Sequence, residues 1–141
     1  MQCRCVMSNG LFLIAVMLLS CGCGGDNVRK TAVKGEVLLD GKPVPQGRIT
    51  FEPTGGTTGP ASGASIKNGA FEISAENGVT VGKNLVRINS NKPTGKKVKS
   101  SISSDMLDET VEGIPEKYNS KSKLEKEIEE GPNEISFDLE S

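Results

Sequence analysis

The chain has 141 residues, of which 35% are apolar and 25% are charged, and its formal net charge is −1. This length suits one domain. The absence of histidine excludes Ser-His-Asp triads, Cys-His dyads and His-based zinc sites. A net charge so close to zero provides no field to attract a polyanion, so no nucleic-acid partner is expected.

Residues 1–20 are predicted to be a cleaved signal peptide rather than part of the fold. An apolar run from Leu11 to Leu19 follows Arg4 and the amino terminus. A membrane-spanning helix needs about 20 residues to cross a core of ~30 Å, so this run is too short. Its length is typical of the apolar region of a signal peptide.

The segment Leu18-Leu-Ser-Cys21 resembles the bacterial lipobox, in which the peptidase cleaves before a cysteine that carries a diacylglyceryl group. The resemblance implies lipidation at Cys21, acyl chains such as palmitate, and a partner membrane held through that anchor. Gly22 follows the cysteine in place of the aspartate that retains enteric lipoproteins at the inner membrane. We therefore expect the cell envelope, with the outer membrane favoured and the domain facing the periplasm or exterior. An ordinary secretory signal cleaved nearby is the alternative.

All four cysteines lie within the first 23 residues. Cleavage would remove Cys3 and Cys5 and lipidation would block Cys21, so no internal disulfide is expected. Cys21 and Cys23 offer only two of the four ligands of a zinc site, so neither a metal nor a cofactor is expected. Residues 21–31, rich in glycine and polar residues, are predicted to be a flexible tether to a domain spanning residues 32–141.

Apolar and polar residues alternate with a period of two through much of this domain, which indicates β-strands. The turn sequences Asp40-Gly41 and Asn68-Gly69 are typical of tight hairpins. Short strands with such turns between them predict an all-β antiparallel sandwich. The residues predicted to face its core are Val33, Val37, Leu39, Ile49, Phe51, Phe71, Ile73, Val86, Ile88, Ile135, Phe137 and Leu139.

The segment Ser122–Glu130 gives conflicting signals. Its helix propensity is high, and Gly131-Pro132 would end a helix properly. A sandwich, however, needs a partner strand here, and Leu124, Lys126 and Ile128 can share one strand face. We predict a strand in which Lys126 extends to solvent at an edge.

Residues 91–121 are predicted to form a long polar loop, and loops of this length in compact domains are usually functional or disordered. Ile114 and Tyr118 are expected to dock back on the sandwich. The acidic residues after the basic run are predicted to form a short solvated helix rather than a calcium site: Asp105, Asp108, Glu109 and Glu112. The basic run itself is a candidate binding loop for an anionic polymer or lipid headgroups: Lys92, Lys96, Lys97 and Lys99.

The segment Val33–Pro53, with its Asp40-Gly-Lys-Pro-Val44 turn and Gly47-Arg-Ile-Thr-Phe51 strand, resembles the opening of carboxypeptidase-regulatory-like, transthyretin-like domains. Ile114–Asn119 and Asn133–Leu139 resemble segments of short planctomycete lipoproteins that carry this domain. The similarity covers about residues 31–140. It implies a seven-stranded antiparallel Greek-key sandwich, and because its motifs are turn and core residues, it implies no activity.

Catalytic relatives on that fold rely on residues that this chain lacks. Hydroxyisourate hydrolases use histidines, and intradiol dioxygenases hold iron with two histidines and two tyrosines, whereas this chain has only Tyr118. Gly78–Asn84 has the wrong spacing for a phosphate loop. Ser120–Lys123 matches the Ser-x-x-Lys pattern, but the other motifs of such enzymes do not accompany it.

We therefore expect a non-catalytic, membrane-anchored envelope lipoprotein that serves as a structural or protein-interaction module for an envelope protein or polymer. The alternative is a carbohydrate- or anionic-polymer-binding module that acts through the Lys92–Lys99 loop.

Overall fold

The computed structural model describes residues 28–141. The predicted signal peptide, Cys21 and most of the predicted tether lie outside these residues. The described chain is all-β, and a single 3₁₀ turn at Glu116–Tyr118 is the only helical element in it. The strands are β1 (Lys30–Thr31), β2 (Val33–Leu39), β3 (Lys42–Pro43), β4 (Gln46–Pro53), β5 (Ser62–Lys67), β6 (Ala70–Ile73), β7 (Val79–Thr80), β8 (Gly82–Asn89), β9 (Asn91–Lys99), β10 (Met106–Glu112), β11 (Glu125–Ile128) and β12 (Asn133–Leu139).

Most strands belong to one eight-stranded sheet with the order β11-β8-β4-β5-β6-β2-β12, and β3 pairs with β2 beside that path. β5 and β6 share only the pair Lys67–Ala70 at their connecting turn, and the sheet curls there. The prediction of purely antiparallel pairing is wrong at one edge, because β12 runs parallel to β2, with Phe137 beside Val37. Alternation specifies which face of a strand is buried but not the direction of its neighbour.

The core lies inside the curled sheet. Phe51 on β4, Phe71 on β6 and Phe137 on β12 come from strands that are not neighbours, yet their ring centroids are 6.2–6.5 Å apart. Tilted aromatic rings at this spacing are favourable contacts. The predicted core faces are confirmed: ten of those twelve side chains are buried, and Leu39 and Ile135 are partly buried against the same cluster.

The β2–β12 contact depends on a glycine. A Cβ atom at Gly35 would lie 1.8 Å from the carbonyl oxygen of Ile135, so any side chain would force the two strands apart. The predicted turns are also confirmed. Asp40 and Asn68 have φ values of 51° and 50°, and each is followed by a glycine with positive φ, as tight hairpin turns require.

The segment with conflicting signals forms strand β11, as predicted. It pairs antiparallel with the edge of β8, the Ser122 hydroxyl donates to the Val86 carbonyl, and Ile128 is buried. Burial against the sheet outweighs local helix propensity, which is a small effect per residue.

The prediction of a long polar loop over 91–121 is wrong, because β9 and β10 form an antiparallel hairpin. The acidic residues are likewise not helical, since Asp108, Glu109 and Glu112 lie on β10. The docking of the following segment is confirmed. Ile114 is buried in the core, Tyr118 packs against it, and the Tyr118 hydroxyl accepts a hydrogen bond from the Glu140 amide at 3.1 Å.

Candidate functional site

The β9–β10 hairpin projects from the eight-stranded sheet and forms a separate two-stranded sheet. Every residue of β9 is exposed. The strands pair regularly near the tip, from Lys99 beside Met106 to Lys97 beside Asp108, and a register shift separates these pairs from those at the root. Such bulges bend a strand and interrupt its ladder. The hairpin therefore has a regular distal half and an irregular proximal half.

Exposed apolar side chains are concentrated on this hairpin. Within residues 28–141, the exposed large apolar side chains all lie between positions 98 and 111, with exposed fractions from 42% to 96%. They are Val98, Ile102, Met106, Leu107 and Val111. Isolated exposed apolar residues are ordinary, but a cluster of them on one element is typical of an interaction site.

Pairing arranges these apolar residues on the hairpin faces. Val98 lies directly opposite Leu107, and alternation along β10 places Val111 on the same face as Leu107. Met106 and Asp108 lie on the other face, opposite Lys99 and Lys97. The distal half thus has one face formed by Val98 and Leu107, and an opposite face on which charged side chains accompany Met106.

Charge is segregated by strand. The four lysines of the predicted binding loop, Lys92, Lys96, Lys97 and Lys99, all lie on β9, whereas β10 carries three carboxylates. The Lys97 ammonium lies 3.7 Å from the Asp108 carboxylate, and the Thr94 hydroxyl donates to Glu109 at 2.6 Å. The structure therefore places the four lysines on one strand, and it neutralises one of them, Lys97, with the Asp108 carboxylate.

Glu112 fixes the hairpin root. Its carboxylate accepts hydrogen bonds from the Ser90 amide at 2.8 Å, from the Ile114 amide at 2.9 Å and from the Asn89 side chain at 2.9 Å. Burial alone would raise the pKa of Glu112, but hydrogen bonds from Asn89, Ser90, Ile114 and Gly113 outweigh burial and hold the pKa below its ordinary value of 4.5. From the sequence alone, Glu112 is only one member of an acidic run, because no local pattern identifies these amide donors.

The segment that follows the hairpin, residues 113–121, is held against the sheet by hydrogen bonds. Arg87 on β8 donates from Nε to both carboxylate oxygens of Glu52 at 3.0 Å, and from Nη1 to the Asn119 carbonyl at 2.6 Å. The buried Asn119 side chain donates to the Ile114 carbonyl at 3.0 Å. The chain at the base of the hairpin is therefore fixed to the sheet by several hydrogen bonds.

An open cleft of about 360 Å³ lies beside that base. Apolar groups of Val44, Pro45 and Ile114 form part of its wall, and Ser90 and Lys92 contribute polar groups. A larger open concavity of about 710 Å³ lies on the outer face of β5, β6, β2 and β12, where charged residues of both signs such as Lys34 and Glu72 line it. These mixed charges favour no single sign of ligand.

The two motifs with superficial catalytic resemblance have structural roles. Asn84, at the end of the Gly78–Asn84 segment, is fully buried, and its side chain donates to the Thr80 and Gly82 carbonyls. In the Ser120–Lys123 segment, the Lys121 ammonium lies 2.5 Å from Glu116. The hydrogen bond and the charge of Glu116 raise the pKa of Lys121 above its ordinary value, so Lys121 forms an exposed ion pair, and the lysine of the Ser-x-x-Lys pattern is the neighbouring Lys123.

A metal site would require a group of at least three cysteine, aspartate or glutamate side chains, and residues 28–141 contain no such group. Within the same residues, no helix has the length and apolar character needed to cross a membrane. The predicted lipidation site, Cys21, lies outside the described residues.

Comparisons with known proteins assign no family. No protein-family model matches the chain, and no curated protein matches it. Among solved structures, the chain is similar to part of a 9R-lipoxygenase from Cyanothece PCC8801, with 12% sequence identity and a TM-score of 0.40. The match covers 80% of this chain but only 16% of the lipoxygenase.

Proposed function

We propose that this protein is a non-catalytic lipoprotein of the cell envelope, anchored in a membrane through Cys21, whose β domain serves as a structural or protein-interaction module. The lipobox-like segment Leu18–Cys21 supports the anchor. The observation that carries the interaction role is the concentration of exposed apolar side chains on the β9–β10 hairpin, since such a cluster is costly to leave in water without a partner.

The path of the chain supports a presentation role. β1, which comprises the last two residues of the predicted tether, pairs with β7 just before the start of β8 at Gly82. The hairpin begins after Asn89 at the other end of β8. A strand of this length spans about 26 Å at ~3.3 Å per residue. A chain anchored at Cys21 would therefore present the hairpin away from its own membrane.

We also propose that the fold is a seven-stranded Greek-key sandwich of the transthyretin-like type. The seven longer strands of the sheet path, β11, β8, β4, β5 and then β6, β2, β12, support this interpretation, because the single β5–β6 pair divides them into groups of four and three. The parallel β12–β2 pair modifies the antiparallel pattern at one edge only.

The anchor is tested by intact mass and metabolic palmitate labelling of the protein from native membranes. We expect a diacylglyceryl mass on an N-terminal Cys21, with labelling lost in Cys21→Ser and retained in the matched control Cys23→Ser. An unmodified N-terminus elsewhere, or equal labelling of both variants, contradicts the anchor.

A second candidate function is binding of an anionic polymer or carbohydrate through β9. The observation in its favour is that Lys92, Lys96, Lys97 and Lys99 occupy one fully exposed strand. Alanine substitution of these four lysines should then abolish binding to an anionic glycan, while substitution of Lys34 and Lys67 on the sheet should not. Binding that survives the β9 substitutions rejects this mechanism.

A further inference from the structure

We infer that the hairpin is a homotypic docking element: the acidic strand β10 of one copy pairs edge to edge with the basic strand β9 of a second copy in the same membrane. The docking segment is the regular distal half, Lys97–Lys99 with Met106–Asp108. This inference rests on the proposed anchor only in assigning both copies the same orientation.

Both outer edges of the hairpin are open. Within residues 28–141, β9 and β10 pair only with each other, so the outward amide and carbonyl groups of each strand have no strand beside them. Open edges of this kind accept a further strand. Pro93 and the register shift interrupt the proximal half, and proline cannot donate to a ladder, which leaves the distal half as the template.

Charge selects the occupant of each edge. Lysines on an edge strand normally prevent association, because they repel another basic edge. They do not repel a strand that carries Asp108, and this chain supplies such a strand in β10, where Glu109 follows Asp108 just outside the docking segment. The two edges are therefore complementary to each other, and each is unfavourable to its own kind.

The side chains also match. With two hairpins side by side, Leu107 of one copy lies beside Val98 of the next and extends the apolar row that each hairpin already contains. On the opposite face, Asp108 lies beside Lys97 of the next copy and extends the alternating charges. Matched cross-strand pairs of this kind stabilise a sheet.

The geometry suits copies anchored in one membrane. When two hairpins point in the same direction, β10 of one runs antiparallel to β9 of its neighbour, so the antiparallel ladder continues across the boundary. This contact is head to tail, and it generates rows or rings rather than closed two-fold dimers.

Cysteine cross-linking in native membranes tests this arrangement, since positions 24–141 contain no cysteine. In a Cys23→Ser background, one tagged copy carries Val98→Cys and a differently tagged copy carries Leu107→Cys. Directly opposed residues in a sheet have Cβ atoms about 4.5–5.5 Å apart, so mild oxidation or a short thiol cross-linker should give a heterodimer. Each variant expressed alone should give little dimer, because identical positions lie two strands apart.

The matched control is the pair Lys34→Cys and Glu72→Cys, which are exposed cross-strand neighbours on the sheet. This pair should give no heterodimer.

Charge reversal tests the register of the contact between two copies. Adding Asp108→Lys to the Leu107→Cys copy should reduce the heterodimer about fivefold, and adding Lys97→Glu to the Val98→Cys copy should restore it. If Asp108→Lys only unfolded its own hairpin, a change in the other copy could not restore the heterodimer.

Three results would overturn the inference: no heterodimer, dimers of Leu107→Cys alone, which would indicate face-to-face contact, or cross-links only to a different protein. Palmitate labelling of the same membranes reports on the anchor separately. Labelled protein without a cross-link rejects the docking alone, and a cross-link without label rejects the anchor alone.

Discussion

The curled sheet and the β9–β10 hairpin are both mainly antiparallel, but they use apolar residues in opposite ways. In the sheet, alternation directs Phe51, Phe71 and Phe137 into one shared core. In the hairpin, the same alternation places Val98 beside Leu107 on a face that solvent covers. The comparison indicates that the sheet builds the domain, whereas the hairpin contributes little to its stability and is available for a partner.

The largest effect is expected in the core. Phe51→Ala removes a fully buried ring that contacts two other aromatic rings, and it should lower the free energy of unfolding by about 3–5 kcal/mol. The matched hairpin variant, Val98→Ala, should change it by less than ~0.5 kcal/mol. Urea unfolding followed by circular dichroism measures both, and equal losses would contradict the division between sheet and hairpin.

The next effect is expected at the β2–β12 contact. Gly35→Ala places a methyl group against the Ile135 carbonyl, and it should cost about 1–3 kcal/mol of unfolding free energy through overpacking. Ser136→Ala, at an exposed position on β12, is the control and should be nearly neutral. If Gly35→Ala is as stable as the control, β12 does not lie where the structure places it.

A smaller, local effect is expected at the hairpin root. Glu112→Gln replaces charged hydrogen bonds by weaker neutral ones and should cost about 1 kcal/mol, since much of the group faces solvent. Amide hydrogen exchange at Ser90 and Ile114, whose N–H groups donate to Glu112, should be faster. Glu109→Gln is the control, and it should leave these two amides unchanged.

The same site should respond to pH. Because the pKa of Glu112 is lower in the folded protein than its ordinary value of 4.5, its stabilising contribution is complete above that value and is lost as the pH falls through the folded pKa. Exchange protection at Ser90 and Ile114 should therefore decrease in acid beyond the general change in exchange rate. Glu112→Gln should remove this extra decrease, and a decrease that persists in the variant would assign it to another group.

The smallest effect is expected on the hairpin surface. Lys97→Ala breaks an exposed ion pair with Asp108 and should change the free energy of unfolding by less than ~0.5 kcal/mol. Urea unfolding of the parent protein and of Lys97→Ala, in low and in high salt, measures this change in free energy. A loss comparable to that of Phe51→Ala would mean that the hairpin is part of the folding core.

The sequence predicts the sheet well because burial imposes a period of two on each strand. The alternation along β12 predicts that Phe137 and Leu139 face the core, and both are buried. Alternation does not predict the hairpin, because the pairing of β9 with β10 does not depend on burial. Pro93, Gly95 and the lysines of β9 are typical of a loop, and β9 shows no alternation of apolar and polar residues that would indicate a strand.

Other features could not be predicted because they depend on distant contacts. The parallel direction of β12 follows from where the chain returns to the sheet, which alternation does not encode. The role of Glu112 depends on amides that fold around it. The sequence shows the four lysines as a group, but the Asp108 carboxylate that faces Lys97 on β10 becomes visible only when the hairpin forms.

The most direct test of the central claim is to replace residues 92–111 by Asn-Gly. Asn91 and Glu112 are already paired across the hairpin root, so a two-residue turn can join them. We expect the free energy of unfolding, measured by urea denaturation, to stay within ~0.5 kcal/mol of the parent protein. A loss of more than about 2 kcal/mol, comparable to a core truncation, would contradict the account, because the hairpin would then be part of what holds the domain together.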